Sequence, residues 1–432
     1  MQIIDIGEQT AKFSYFCHYM DFRDLKIDDQ LLEAMSYLGF EKPTEVQEKI
    51  IPLIFENKDV IACAQTGTGK TGAFVLPILN KLIGKNGRHT DTLIIVPTRE
   101  LAIQIEQQIQ GLGYFMSTDS IAIYGGGTGK DWEEQKKALK QGVEIVVATP
   151  GKLLTYLNMG YIDFKHLNHL VLDEADRMLD MGFIDDMERI IRKCPKDRQT
   201  LLFSATISKD ITSLKNKYMK NPIEISAEVH VDPDKLKQVY YPVQDNMKFS
   251  LLVNLLRREH SGLVMVFCNT RRNVDFIVKN LGKNDIDSIA IHGGFTQAKR
   301  EKTLDKFHSK KALILVCTDV AARGLDIPHV SHIYNYDIPA DSKEYVHRIG
   351  RTARAGKEGK VINILASRDH DNFRRVQADN PKFNIEKEQT PEIDRVYIKR
   401  NDNFKGSSRN KRNTHRRKSP RSKRRGPSWN RK

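Results

Sequence analysis

Between residues 59 and 206 the chain repeats one pattern: a short run of continuous apolar positions, then a longer stretch with apolar residues at helical spacing. The runs are DVIACA (59–64), TLIIVPT (92–98), SIAIYG (120–125), VEIVVATP (143–150), HLVLDEAD (169–176) and QTLLFSAT (199–206). Unbroken apolar strands separated by helices predict a parallel sheet covered on both faces. A second set follows: GLVMVFCNT (262–270), SIAIHGG (288–294), KALILVCTD (311–319), HVSHIYNYD (329–337) and GKVINILA (359–366). The fold class is therefore α/β, with two domains of similar design. ISAEVHVDPDKLKQ (225–238) lacks apolar periodicity. The pattern divides the chain into an N-terminal extension (1–19), a first domain (20–226), a linker (227–236), a second domain (237–385) and a tail (386–432). The first nineteen residues read as a weakly ordered extension or as the product of an upstream start codon.

Composition changes the picture in one place. The net charge is +15. Residues 399–432 hold fifteen Lys and Arg against a single acid, Asp402, and leave the rest of the chain with only +1. From 401 onward aliphatic residues almost vanish, so the segment cannot bury enough surface to offset its ordering entropy; it is expected to be disordered. No apolar run reaches the ~18 residues of a membrane span, and no secretory leader pattern opens the chain. Cys17, Cys63, Cys194, Cys268 and Cys317 stand apart with no C-x-x-C pair. They read as buried thiols in a reducing compartment, which points to the cytosol, and speak against a zinc site.

The chemistry begins at AQTGTGKT (64–71), between the run DVIAC and the helical pattern AFVLPILNKL. That is a phosphate-binding loop in its required strand–loop–helix setting. Gly67 and Gly69 let backbone N–H groups turn toward phosphate oxygens, and the helix N-terminus adds its positive dipole end. Lys70 is expected to reach the β- and γ-phosphates, and Thr71 to hold Mg²⁺. The bland alternative is a glycine-rich turn. Further on, Asp173-Glu174-Ala175-Asp176 puts three carboxylates directly after the apolar run HLVL, a costly place for charge. A phosphate loop upstream accounts for it. Asp173 can hold Mg²⁺ through water, and Glu174 can orient and polarise the attacking water.

With these residues in place, the chain resembles the DEAD-box ATP-dependent RNA helicases of helicase superfamily two over about residues 20–370, and within them the RhlE-like subgroup. The resemblance implies two tandem RecA-like domains with ATP and RNA bound in the cleft between them. GFEKPTEVQ (39–47) resembles the family's adenine-reading motif. It implies that Gln47 reads the adenine edge, that Phe40 stacks on the ring and that Phe22 supports the motif. The nucleotide-binding residues it implies are Ala64, Gln65, Thr66, Gly67, Thr68, Gly69, Lys70 and Thr71, with Asp326 on the ribose. SAT (204–206) resembles the motif that ties hydrolysis to closure, with Ser204 and Thr206 bonding the DEAD carboxylates and satisfying Asp176.

PTRELA (97–102), Gly125-Gly126 and TPGKLL (149–154) lie at strand C-terminal ends, the edge where open α/β sheets bind ligands. In the family such elements hold one RNA strand by its backbone. That carries over to Thr98, Arg99, Gly126, Thr149, Gly151 and Lys152, where Lys152 stands for the family's usual Arg and is expected to give a weaker contact. Asn269, Thr270, Arg271, Gln297, Arg300 and Thr318 are the implied RNA contacts of the second domain. HRIGRTAR (347–354) puts His347, Arg351 and Arg354 on one helical face. His347 and Arg348 are assigned to coupling, Arg351 and Arg354 to arginine fingers that stabilise transition-state charge. Ala353 stands where the family often has Gly, with no functional change expected.

RNA is thus the implied partner, gripped by its backbone without base readout. Ribosomal particles and RNA-decay proteins are further partners consistent with the family. The tail adds sequence-independent phosphate affinity, or serves only solubility or localisation. A DNA helicase of the same superfamily and an annealing chaperone acting through its tail are the alternative readings.

Overall fold

The structure, a computed structural model, describes residues 20–64, 68–85, 89–126, 129–226, 236–258, 262–322, 330–353 and 358–398. Two seven-stranded sheets, all parallel, organise them. The first contains β1 (Val60–Cys63), β2 (Thr92–Ile95), β3 (Ser120–Ile123), β4 (Ile145–Ala148), β5 (His169–Leu172), β6 (Gln199–Ser204) and β7 (Ile223–Ser226), in the order β3-β4-β2-β5-β6-β1-β7. The second contains β8 (Leu236–Pro242), β9 (Val264–Cys268), β10 (Ile289–Ile291), β11 (Ile314–Thr318), β12 (His332–Asn335), β13 (Gly359–Leu365) and β14 (Ile385–Lys387), in the order β10-β11-β9-β12-β13-β8-β14. The two orders are the same topology used twice.

Alternate residues of one inner strand bury into opposite cores, which is why strands such as β2 and β9 are continuously buried rather than alternating. On β2, Ile94 packs with Phe74, Ile105 and Phe203 on one face, while Leu93 and Ile95 pack with Tyr156, Met178 and Ile190 on the other. On β9, Met265 and Phe267 enter one core, and Val264, Val266 and Cys268 the opposite one. Helix starts are set by short polar caps. Thr98 accepts from the Leu101 N–H and Thr270 from the Asn273 N–H, each satisfying an amide that the first helical turn leaves free.

The core strand runs read from the sequence all form, and three further strands were not read. β7 flanks β1, and β8 opens the second domain, so the linker ends before Leu236. β14 pairs with β8, which overturns the domain boundary at 385. Residues 386–398 belong to the second domain and not to the tail. Ile393, Val396 and Ile398 pack on its core, the Val396 N–H donates to Ser250 Oγ at 3.3 Å, and Asn284 donates to the Tyr397 carbonyl at 3.0 Å. Three apolar side chains spread over six residues carry no helix or strand period, so the pattern did not reveal them. The extension 1–19, linker positions 227–235 and the basic segment 399–432 lie outside the described residues.

Candidate functional site

The phosphate loop sits at the C-terminal end of β1. Ala64 continues the ladder by donating to the Ser204 carbonyl at 2.9 Å. Gly69 adopts φ +86°, and a side chain there would stand 2.7 Å from Thr44 Oγ1. Lys70 is the first residue of the helix Lys70–Leu82 and is buried. Thr71 follows it half-buried. Gln65, Thr66 and Gly67 lie outside the described residues.

Gln47 is buried against this loop. Its Nε2 donates to the Gly69 carbonyl at 3.1 Å, and its Oε1 accepts the Thr44 N–H at 2.9 Å. Thr44 Oγ1 donates to the Thr68 carbonyl at 2.8 Å. A Cβ on Gly72 would lie 2.6 Å from Gln47 Nε2, so a side chain here would press the Gln47 amide out of place. The amide expected to read adenine thus also ties the motif to the phosphate loop, keeping one N–H and one lone pair for a ligand. Phe22 meets Phe40 edge-on at 6.2 Å.

β5 delivers the carboxylates. Asp173 extends its ladder by donating its N–H to the Ile95 carbonyl at 3.0 Å. Burial, outweighing the attraction of Lys70, pushes the Asp173 carboxyl up to about 6. Glu174 takes a left-handed backbone, φ 49° and ψ 48°, unusual for a residue with a side chain and of the kind concentrated at functional sites. Burial alone would raise its carboxyl, but the charges of Arg177, Lys70 and Arg351 together bring it below the ordinary value. Arg177 holds it directly at 2.9 Å. The sequence reading missed Arg177, although its spacing of three from Glu174 on a helix was legible. Two neighbouring acids therefore differ: Asp173 is destabilised as an anion and Glu174 is kept as one.

Asp176 is satisfied as expected, with one substitution of roles. Thr206 Oγ1 donates to it at 3.2 Å and the Ala205 N–H at 3.1 Å. Ser204 instead turns back to the Thr206 carbonyl at 2.7 Å, closing the turn. From the second domain, Arg351 is buried and close enough for its charge to act on Glu174. Asp326 and Arg354 lie outside the described residues. His347 is half-buried on the helix Ser342–Ile349.

Several expected RNA contacts have other partners. Arg348 is 1% exposed and grips Asp319 with two bonds, Nε at 2.5 Å and Nη2 at 2.6 Å. It also reaches Asn335, the Asp337 carbonyl and Asn269 Oδ1. Asn269 completes its set with the Ile338 carbonyl and Asp337. Asn269 and Arg348 thus form an internal brace, with Arg348 as its hub. A buried guanidinium must fill its donors from protein acceptors, and Asn269 is one of them. Arg99, Gln297 and Arg300 also have protein partners. Arg99 Nη2 pairs with Glu301 at 2.9 Å, Arg300 with Glu100 at 3.1 Å, and Gln297 Nε2 donates to Glu100 at 3.1 Å. They form a clasp between the domains, each cation matched by a carboxylate of the opposite domain. Glu100 and Glu301 are its unforeseen members. Thr98, Gly126, Thr149, Gly151, Lys152, Thr270 and Arg271 stay on the expected edge, with Gly126 at φ +77° and Gly151 and Arg271 exposed. Thr318 ends β11 and is buried.

Comparison with known proteins agrees with this arrangement. The DEAD/DEAH box helicase family pattern matches residues 44–214, and that of the helicase conserved C-terminal domain residues 247–356. The ATP-dependent RNA helicase CshA of Listeria monocytogenes is 43% identical over 378 residues, 87% of this chain and 72% of that protein. The CshA of Bacillus subtilis is 40% identical over 374 residues, 86% of this chain and 75% of that protein. Among solved structures, S. cerevisiae Dbp5 bound to RNA and ADP BeF3 superposes with a TM-score of 0.77 at 30% identity, covering 86% of this chain and 96% of that one. The likeness is to CshA, which corrects the expected RhlE-like subgroup. Two same-topology RecA-like sheets, a phosphate loop locked to Gln47 and a DEAD turn facing Arg351 place this chain in the DEAD-box family of ATP-dependent RNA helicases.

Proposed function

We propose that the protein closes on ATP and RNA together, hydrolyses ATP in the closed cleft and locally opens RNA duplexes or remodels RNA–protein complexes. The observation that carries this reading is the set of ion pairs that join the two domains, Arg99 to Glu301 and Arg300 to Glu100, with Arg351 of the second domain buried. Neither domain holds a whole catalytic set, so hydrolysis is tied to closure. In this mechanism Lys70 binds the β- and γ-phosphates at the loop. Glu174, kept ionised by Arg177, Lys70 and Arg351, orients the attacking water and accepts its proton. Arg351, with Arg354, meets the charge that develops on the transferred phosphoryl group. Thr206 and Asp176 link the DEAD turn to the strand end that follows.

The residues fit Mg²⁺. Thr71 and Asp173 offer hard oxygen donors, and a buried carboxyl pushed up to about 6 is one that a cation would stabilise. When bound, the ion neutralises phosphate charge. The free thiols of Cys63, Cys194, Cys268 and Cys317 support a cytoplasmic setting. Among the described residues no helix is long and apolar enough to cross a membrane, and no group of three or more His, Cys, Asp or Glu could hold a metal by itself. Ribosomal particles and transcripts bound by RNA-decay proteins are the substrates this backbone-directed grip suits.

The test is steady-state ATP hydrolysis with no nucleic acid, with single-stranded RNA and with DNA of matching sequence. RNA alone should stimulate turnover, and Glu174→Gln should remove at least about a hundred-fold of it, the usual scale of general-base catalysis. Equal stimulation by DNA would move the assignment to a DNA helicase. Intact RNA-stimulated turnover in Arg351→Ala would overturn the closure mechanism.

A further inference from the structure

Lys152 stands where the family usually carries an arginine, and its surroundings are specific. Trp132, on the helix Gly129–Gln141, and Tyr156, on the helix Pro150–Asn158, stack with ring centroids 4.6 Å apart and 19° between their planes. The Lys152 ammonium lies 4.0 Å from the Trp132 centroid and 5.2 Å from that of Tyr156. Tyr156 is fully buried, and its hydroxyl donates at 3.0 Å to Gln135, on the same helix as Trp132. The shelf is therefore fixed from beneath. Among the described residues Lys152 forms no ion pair and donates no hydrogen bond; the two rings are its partners.

This matters because lysine and arginine fail differently. An arginine fork is rigid and meets phosphate with paired donors, whereas a lysine ammonium rides on a flexible stem and loses orientation. An aromatic face restores orientation without consuming N–H donors, as a carboxylate would. Because ring attraction leaves the charge uncompensated, the ammonium remains available to a phosphate oxygen.

We propose that Trp132 is a positioning residue for RNA binding: it holds the Lys152 ammonium in place, with its donors free, for a phosphate of the RNA backbone. The proposal rests on the reading of Lys152 as an RNA contact. RNA binding draws the cation toward phosphate and so alters the charge above the indole.

The chain has two tryptophans, so Trp429→Phe in the full-length protein leaves Trp132 as the single emitter. Emission is followed as single-stranded RNA is added to saturation, and ATP turnover is measured against RNA concentration. Saturating RNA is expected to change Trp132 emission, and Lys152→Ala to abolish that change. Trp132→Leu should raise the half-saturating RNA concentration about five-fold, the scale of a partly exposed cation–π contact, with kcat within about two-fold. Trp132→Phe should recover most of the loss, and Trp132→Leu should add nothing once Lys152→Ala is present. If Lys152→Ala weakens RNA binding while Trp132→Leu has no effect, or the two add independently, the shelf is packing alone and the positioning role falls. If Lys152→Ala leaves RNA binding intact, the RNA contact itself falls, and the proposal with it. Should Trp132→Leu fail to fold, the emission titration and Trp132→Phe still decide.

Discussion

At Ala353 the backbone sits at φ +51°, a left-handed conformation that costs a residue with a Cβ about 1–2 kcal/mol. Glycine removes that cost but adds flexibility to the unfolded chain, worth about 0.5–1 kcal/mol. Ala353→Gly should therefore stabilise the protein by up to about 1 kcal/mol. Its denaturant midpoint should rise with an unchanged slope, and RNA-stimulated turnover should stay the same. Gly72 is the opposite case, because an added Cβ would press on the Gln47 amide at 2.6 Å. Gly72→Ala should displace Gln47 from the loop and raise the KM for ATP more than it lowers kcat. That split would show that the Gln47–Gly69 bond shapes the nucleotide pocket. An equal fall in both kcat and kcat/KM would say otherwise.

The helix Ser342–Ile349 shows how one element carries two duties. Its inner face buries Tyr345, Arg348 and Ile349, and Arg348 braces the ends of three strands through Asp319, Asn269 and Asn335. Removing the guanidinium would strand a buried carboxylate, a loss of about 3–5 kcal/mol. Arg348→Met should therefore shift the denaturant midpoint of the second domain sharply, whereas a residue acting only on RNA would change affinity and leave stability alone. The spacing of the HRIGRTAR segment showed that arginines gather there, but not which of them turns inward. A helix presents a face to the core only once its neighbours are placed, and Arg348 is the one placed over Phe267, 5.0 Å from the ring.

Across the whole molecule, the clasp of Arg99, Glu100, Gln297, Arg300 and Glu301 joins the two domains. Glu100 is its most buried acid, with a side chain 11% exposed, and it takes bonds from both Arg300 and Gln297. Glu100→Gln should weaken closure. The expected signature is a several-fold rise in the RNA needed for half-maximal turnover, reversed little by added ATP, with the stability of each domain unchanged. The basic segment 399–432 belongs to the same scale through charge alone. Its deletion should flatten the salt dependence of RNA affinity, because fewer counterions are released, while turnover at saturating RNA persists. Loss of all RNA-dependent activity on deletion would favour the annealing-chaperone alternative.

What the sequence determined by itself was everything carried by local order. Short continuous apolar runs declared the core strands, because a strand buried on both faces has no polar alternation to hide it. The phosphate loop and the DEAD turn were readable because their chemistry needs adjacent residues on one strand–turn–helix unit. The strands β7, β8 and β14 were less legible, since exposed positions interrupt each of them and leave no continuous apolar run. Only the tertiary structure decided how long-range partners divide. Arg99 and Arg300 met carboxylates some two hundred positions away, Asn269 turned inward to Arg348, and Arg351 alone of the described arginines in its segment brought charge to Glu174. A cation in a sequence declares only its charge. Which anion it meets depends on the geometry that brings distant segments together, and a few ångströms separate a brace, a clasp and a catalytic group.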